Sequence, residues 1–386
     1  MPNYRALQIS GVTFTGPPPA AADQSPPTAP TGVSATRYGL GVQVLWTAAT
    51  DNIGVVAYDI YRSASSGFTT DYASFQATVF PPTVAWTDPN PVNTVMYYKV
   101  VARDAAGNGT VSAQATLAAL SNTQLLVNGS LVLFDPSDPV NPWVALGAAP
   151  PNLAATFADA TIGGSSALVY ANTMVSPGGT VERSTKGGLH FIVSQTAGIS
   201  AQLASVQRSS VMATYLLANP THDMYLGVSF KNTRLCGTPG QSTYYPYKVS
   251  KASTVSGDGY IAIGTQTSTG ASIAVPTTSD PHRIAVDLTT GPDGQVHATI
   301  ATTDAQAGFT TTMHTGLIIG GAPSAGFVNQ VQSHLVWRYY LEDLTVSGRS
   351  YSQVYAIDHA LHIKEVLTTG GRYYGDTYSN PASAMP

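Results

Sequence analysis

Along most of this chain apolar side chains recur at every second position, the period of a strand with one buried face. The cleanest case is Arg283-Ile284-Ala285-Val286-Asp287-Leu288, with Ile284, Val286 and Leu288 on one side. Gly291-Pro292-Asp293-Gly294 then supplies turn chemistry, and Gln295 to Ala301 returns with Val296, Ala298 and Ile300 inward. Similar short runs predict strands at 42–46, 58–62, 96–103, 111–117, 131–134, 190–193, 224–230, 260–264, 317–321 and 335–346. The turn from Asp104 to Gly109 carries Asn108-Gly109, a hairpin dipeptide. One segment has a different period. In Ser350–Leu367, Val354, Ile357 and Leu361 fall at three-to-four spacing, which predicts a helix stopped by Gly370-Gly371. So many strands must close or stack in two sheets to hide their edges, so the fold class is all-β with a short C-terminal helix.

Proline and turn residues divide the chain. Residues 1–27 hold Gly16-Pro17-Pro18-Pro19 and Ser25-Pro26-Pro27 and read as an extended arm, with one weak strand at Tyr4–Phe14. Such a segment cannot bury apolar area worth its ordering entropy, about 1–2 kcal/mol per residue. It is therefore expected to anchor on a neighbouring chain. Residues 28–118 form a second body, 119–127 a connector, 128–375 a third body and 376–386 a tail. Tyr373 to Asp376 is expected to drape back on the third body.

The middle body opens with Pro30-Thr31-Gly32-Val33-Ser34-Ala35 and continues with Val44-Leu45-Trp46. Thr50-Asp51-Asn52-Ile53-Gly54-Val55, Tyr58-x-Ile60-Tyr61-Arg62 and Tyr98-x-Val100-x-Ala102-x-Asp104-x-x-Gly107-Asn108 follow in order. This stretch resembles a fibronectin type III domain of the kind found in bacterial and phage proteins. The resemblance implies a β-sandwich with Trp46 and Tyr98 as core pillars. No Arg-Gly-Asp triplet precedes Thr110, so integrin-type binding does not carry over. The third body carries His282–Ala301, Gly316–Gly321 and Tyr340–Val354, the last expected as a closing strand. These resemble the concanavalin A-like jelly-roll superfamily, laminin-G type. Members of that superfamily bind carbohydrate or protein, and some hydrolyse polysaccharide.

Composition removes several functions. Among 386 residues only 10% are charged, against about 25% in an average globular protein. The 17 basic and 21 acidic residues leave a net charge of −4, and no run is basic, so nucleic acid is not an expected partner. The single Cys236 allows no intramolecular disulfide and is expected to be a small buried side chain. No apolar run reaches the roughly 20 residues of a membrane span. Met1-Pro2-Asn3-Tyr4-Arg5 lacks the pattern of a secretory signal, so export by that route is not expected.

Candidate chemistry is sparse. Glutamate occurs only at Glu182, Glu342 and Glu365, and the Glu-x-Asp-x-x-Glu strand of polysaccharide hydrolases on a similar jelly roll is missing. Retention at a glycosidic bond needs two carboxyl groups about 5–5.5 Å apart. Glu342 and Asp343 are adjacent and should face opposite sides of a strand, as an edge charge pair. No Gly-x-Ser-x-Gly elbow is present. No catalytic residue is assigned, and the protein is not expected to be an enzyme. His359-x-x-His362 with Glu365 could line one helix side, but a solvated face is the expected reading. Asp258, Asp287 and Asp293 are ordinary turn or strand-end acids, so no metal and no cofactor is assigned. Trp337, Tyr339 and Tyr340 are expected in the core. Tyr244, Tyr245 and Tyr247 stand in a Pro/Gly/Ser-rich loop, Gly237–Lys251, and are the candidate carbohydrate-binding residues. Packing or a subunit interface is the competing role for them.

Taken together, the chain resembles a bacteriophage virion protein: a tail-tip, minor-tail or fibre component displayed on the particle. Its expected partners are other virion proteins through the arm, host cell-surface polysaccharide through the jelly roll, and further copies of itself, a trimer being expected. A capsid decoration or head-fibre protein is the first alternative, and a polysaccharide-binding accessory protein the second.

Overall fold

A computed structural model describes residues 23–38, 41–90, 93–199, 204–219, 222–234, 247–250, 260–267, 270–273, 282–287, 295–302, 317–319, 329 and 333–386. The arm before Asp23 and Cys236 lie outside these residues. The fold is all-β, in two compact units that divide near Ala118.

In the first unit one sheet runs β1 (Thr31–Tyr38), β2 (Gly41–Thr47), β5 (Ala85–Asp88). The other runs β4 (Phe75–Val79), β3 (Val55–Ser63), β6 (Met96–Asp104), β7 (Gly109–Val111), with β8 (Ala115–Leu117) also on β6. This is the strand order of a fibronectin type III sandwich. Strands β2 and β6 alternate buried and open positions as their sequences dictate. Trp46 is 4% exposed and Tyr98 fully buried, and the Trp46 ring lies 5.4 Å from that of Tyr58. The Tyr98 hydroxyl donates to buried Asp88 at 2.9 Å, and Arg62 pairs with the same carboxylate. At the β6–β7 turn the left-handed residue is Gly107, φ +92°, and not Gly109. Asp104 fixes that turn by accepting from the Asn108 amide and side chain.

The second unit is a two-sheet sandwich of jelly-roll type. One sheet runs β10 (Val169–Asn172), β13 (Ala204–Gln207), β20 (Leu317–Ile319), β15 (Tyr247–Ser250), β16 (Tyr260–Thr267), β17 (Gly270–Ile273). The other runs β11 (Gly179–Arg183), β12 (Leu189–Val193), β21 (Ser333–Asp343), β14 (Met224–Arg234), β19 (Gln295–Thr302), β18 (His282–Asp287), with β9 (Ser130–Phe134) also on β21. The alternating β18 and β19 pair as the predicted hairpin, His282 opposite Thr302 and Asp287 opposite His297. The main apolar cluster joins Leu226, Val228 and Phe230 of β14, Phe191 of β12 and Leu341 of β21 to Val206 of the opposite sheet.

The outer face of the seven-stranded sheet is covered. Helix α4 (Tyr351–His362) begins at Ser350, whose hydroxyl and Gln353 form a reciprocal cap. It packs Val354, Ile357 and Leu361 against Tyr225, Tyr340 and Leu133. Asp358 on this helix accepts from Tyr225 and Arg338, all three buried, directly above Gly227. A Cβ at Gly227 would stand 2.0 Å from the Asp358 carboxylate, so only glycine lets the helix seat. Strand β21 carries a bulge at Trp337, where Ser229 faces Arg338 and Phe230 faces Val336. The bulge turns both Trp337 and Arg338 outward, into the covering layer. Every residue of β21 is therefore buried.

Several expectations are corrected here. The last strand ends at Asp343 and not Val346, because the Asp343 carboxylate caps a short helix α3 (Leu344–Ser347) by accepting from the Val346 amide at 3.0 Å. Tyr340–Val354 is thus strand, helix and helix start. Two further helices, α1 (Ala155–Ile162) and α2 (Ser210–Ala218), lie in stretches where only strands were expected. Residues 119–127 are not a free connector: Leu120 and Leu125 are fully buried in the second unit. The segment after Gly370 does drape back. Asp376 accepts from Ser184, Trp337 and the Lys186 amide, and α5 (Pro381–Ala384) follows.

Candidate functional site

Tyr244 and Tyr245 lie outside the described residues. Tyr247 is in β15 and not in a loop; its backbone pairs opposite Ile263 on one side and Ile319 on the other. Trp337, Tyr339 and Tyr340 are core residues. Glu342 and Asp343 are not an edge pair, for both are fully buried. Glu342 pairs with Arg349 and accepts from Tyr340, while Asp343 accepts from Tyr215 and meets His222 at 2.6 Å. The His359–His362–Glu365 side is not a solvated face. His362 is buried against the Ser229 hydroxyl at 2.6 Å, and Glu365 turns to Arg372 at 2.9 Å. Glu182, the remaining glutamate, meets buried His190 at 2.8 Å and accepts from Ser379. Asp287 closes β18, while Asp258 and Asp293 are outside the described residues.

The second unit holds a cleft of about 880 Å³ that the sequence did not point to. Its walls include a single turn at Asn122–Gln124, the 138–141 loop, the 152–156 stretch that leads into α1, and a π-helical turn, Ile363–Leu367, with the 368–372 stretch after it; Asn93 also lines it. Ser121 caps the first turn together with Gln124. Asp138 shapes the loop by accepting from the Val140 and Asn141 amides. The π turn closes on Gly371, where an added Cβ would stand 2.4 Å from the Lys364 carbonyl oxygen.

A buried ionic network backs these walls. Asp135, fully buried, accepts from both Arg372 Nη atoms at 3.2 and 2.6 Å, from the Tyr373 hydroxyl at 2.6 Å and from Asn122 at 2.8 Å. Asn122 also donates to Asp138 at 2.9 Å. Arg372 reaches Glu365 through Nε, and Lys364 meets Glu365 at 3.2 Å and the Leu120 carbonyl at 2.6 Å. Burial alone would push the Asp135 carboxyl up, but the Arg372, Tyr373 and Asn122 bonds outweigh it and hold it below the carboxylate range. Glu365 is likewise held low against burial by Arg372 and Lys364. Burial pulls the Arg372 guanidinium down, and Asp135 more than restores it.

In the first unit Asp23, Asp51 and Asp104 bring carboxylate oxygens within 4.8 Å of one another, an arrangement that could hold a hard cation through oxygen ligands. No described helix is long and apolar enough to cross a membrane.

No protein-family model matches the chain. Over 107 residues it is 31% identical to chitinase A1 of Niallia circulans, covering 28% of this chain and 14% of that protein. Over 83 residues it is 36% identical to exoglucanase A of Cellulomonas fimi, covering 21% of this chain and 8% of that protein. The chain thus spans a small fraction of the length of the curated relatives it matches. Among solved structures, an Fn3-like protein from Clostridium thermocellum aligns at 31% identity and TM-score 0.21, over 25% of this chain and 95% of that one. A carbohydrate-binding module of the β-sandwich superfamily aligns at 14% identity and TM-score 0.20, over 82% and 97%. The fold assignment rests on strand order, not on these alignments.

Proposed function

We propose that the chain binds polysaccharide without cleaving it, as a structural component of a bacteriophage particle. The observation that carries the non-catalytic half is the state of the glutamates. Each of Glu182, Glu342 and Glu365 is tied to a basic side chain. The jelly-roll sandwich and the partial identity to two polysaccharide-degrading enzymes support a glycan ligand. The virion reading rests on the combination of modules read from the sequence. In it the arm anchors the chain to neighbouring virion proteins, copies assemble as a trimer, and the sandwich faces the host surface.

Incubating the purified chain with host envelope polysaccharide tests the first half: retention on the polymer with no soluble oligosaccharide released is expected. Release of oligosaccharide would make it an enzyme, and no retention would remove the glycan reading. Changing Tyr244, Tyr245 and Tyr247 together to Ala should lower adsorption while particles still assemble. Electron microscopy of labelled particles locates the chain on tail or capsid.

A further inference from the structure

We infer that the cleft between the 121–126 segment and the 364–372 turn is a subsite for a neutral saccharide. This rests on the glycan-binding reading and adds a subsite to the Tyr244, Tyr245 and Tyr247 candidates, none of which is among the described residues that line the cleft. At about 880 Å³ the cleft falls within the roughly 300–1,000 Å³ of pockets that enclose small ligands.

Its walls are fixed before any ligand arrives. The Asp135–Arg372–Glu365 network ties the π turn to the strand that ends at Phe134, and Asn122 joins the first wall to the second through two carboxylates. A π turn is uncommon and recurs at functional sites; here it places Lys364 and Glu365 in the wall. Preorganised walls spare a ligand the ordering cost that weakens flexible sites.

The chemistry selects the ligand. The polar rim is neutral and exposed: Thr123, Asn141, Thr156 and Thr369. Half-buried Leu126 and Leu153 offer an apolar surface for the C–H face of a sugar ring. The cations of the wall are already engaged. Arg372 spends Nε on Glu365 and both Nη atoms on Asp135, and Lys364 is held by Glu365 and the Leu120 carbonyl. No guanidinium fork is left for a uronate or sulfate ester. Asp138 and Glu365 balance Arg372 and Lys364 in the lining, so the cleft offers an anionic sugar no net attraction.

Calorimetric titration of the full chain tests this, with cellohexaose and chitohexaose as neutral probes and hyaluronan and alginate oligosaccharides as anionic ones. At least one neutral hexaose should bind and the anionic probes should not. Thr156→Trp, which fills the cleft from an exposed position, should weaken binding at least tenfold with an unchanged melting temperature. Asn141→Ala, which removes a hydrogen-bonding group, should weaken it by about 2- to 10-fold. Thr369→Trp fills the cleft from the opposite wall and serves if Thr156→Trp disturbs α1. Neutral-hexaose binding untouched by all three variants would overturn the cleft and leave the glycan-binding reading standing, as would binding of the anionic probes alone. Failure to bind any of the four would overturn both.

Discussion

Replacing Asp135 by Ala should be among the most damaging single changes in the second unit. The side chain is fully buried and accepts from Arg372 twice, from Tyr373 and from Asn122, with the Ser137 amide at 3.2 Å as well. Asn122 keeps Asp138, and Arg372, 26% exposed, keeps Glu365 and the Ser137 carbonyl. Breaking a buried ion pair by removing one partner costs about 3–5 kcal/mol. The partial exposure of Arg372 pulls toward the lower end, and the Tyr373 hydroxyl proton, left without its acceptor in a residue 2% exposed, pulls back by about 1–3 kcal/mol. A loss of about 3–5 kcal/mol follows, or roughly 6–20 °C at about 2–4 °C per kcal/mol. Urea unfolding followed by the fluorescence of Trp143 and Trp337, both buried in this unit, reads it. Asp135→Asn keeps shape and one acceptor and should lose about half as much. The pH dependence has a definite sign. The folded carboxyl is held below its ordinary value, so its contribution is full above about pH 4 and is lost as the pH falls through the folded value. The Ala variant should therefore show a flatter acid limb than the parent. Both variants lying within 1 kcal/mol of the parent, with parallel acid limbs, would refute the reasoning.

Gly227→Ala should destabilise the second unit by about 1–3 kcal/mol as overpacking, by pushing Asp358 and with it α4 off β14, and a urea midpoint lowered without a change of slope would show it. Tyr98→Phe in the first unit removes a buried hydroxyl from Asp88 and should cost about 0.5–1.5 kcal/mol, measured by calorimetry. His190 is fully buried, and burial lowers its pKa more than Glu182 raises it. Below about pH 6.5 the unfolded chain therefore binds the extra proton and stability declines, so His190→Gln should remove that part of the melting-temperature profile between pH 7 and the folded value.

The sequence made the sheets legible where one face meets the core and the other does not. Strands β2 and β6 follow their alternation, β18 and β19 pair in the expected register, and α4 follows its Val354–Ile357–Leu361 stripe and its Ser350 cap. Strand β21 was found, but its end was not. A strand buried on both faces shows no alternation, and the stop comes from Asp343 serving as a cap, which depends on where its carboxylate points. Helices α1 and α2 are short, and α2, SVMATYLLA, has apolar residues nearly all round, so neither shows a stripe. The cleft was invisible for another reason. Its residues are ordinary side chains, Asn and Thr foremost, scattered between positions 93 and 372, and only the fold brings them together. The sole local hint was the pairing of Gly370-Gly371 with a helix end, which reads equally well as a plain stop.

The Asp135–Arg372 pair spans 237 residues of chain. During synthesis the carboxylate leaves the ribosome long before its guanidinium exists, at about 5–20 residues per second. Until residue 372 is made, the strand ending at Phe134 can enter a core only with its acid lacking a cationic partner, and until residue 362 is made α4 is not there to cover β14. The second unit is thus of high contact order and is completed at the end of its own translation, while the first unit, closed by Leu117, is finished early. A nascent chain stalled between these points would carry one folded sandwich and one open one. Protease digestion would spare the first sandwich and cut the second, so the long-range pair also marks the second unit as complete.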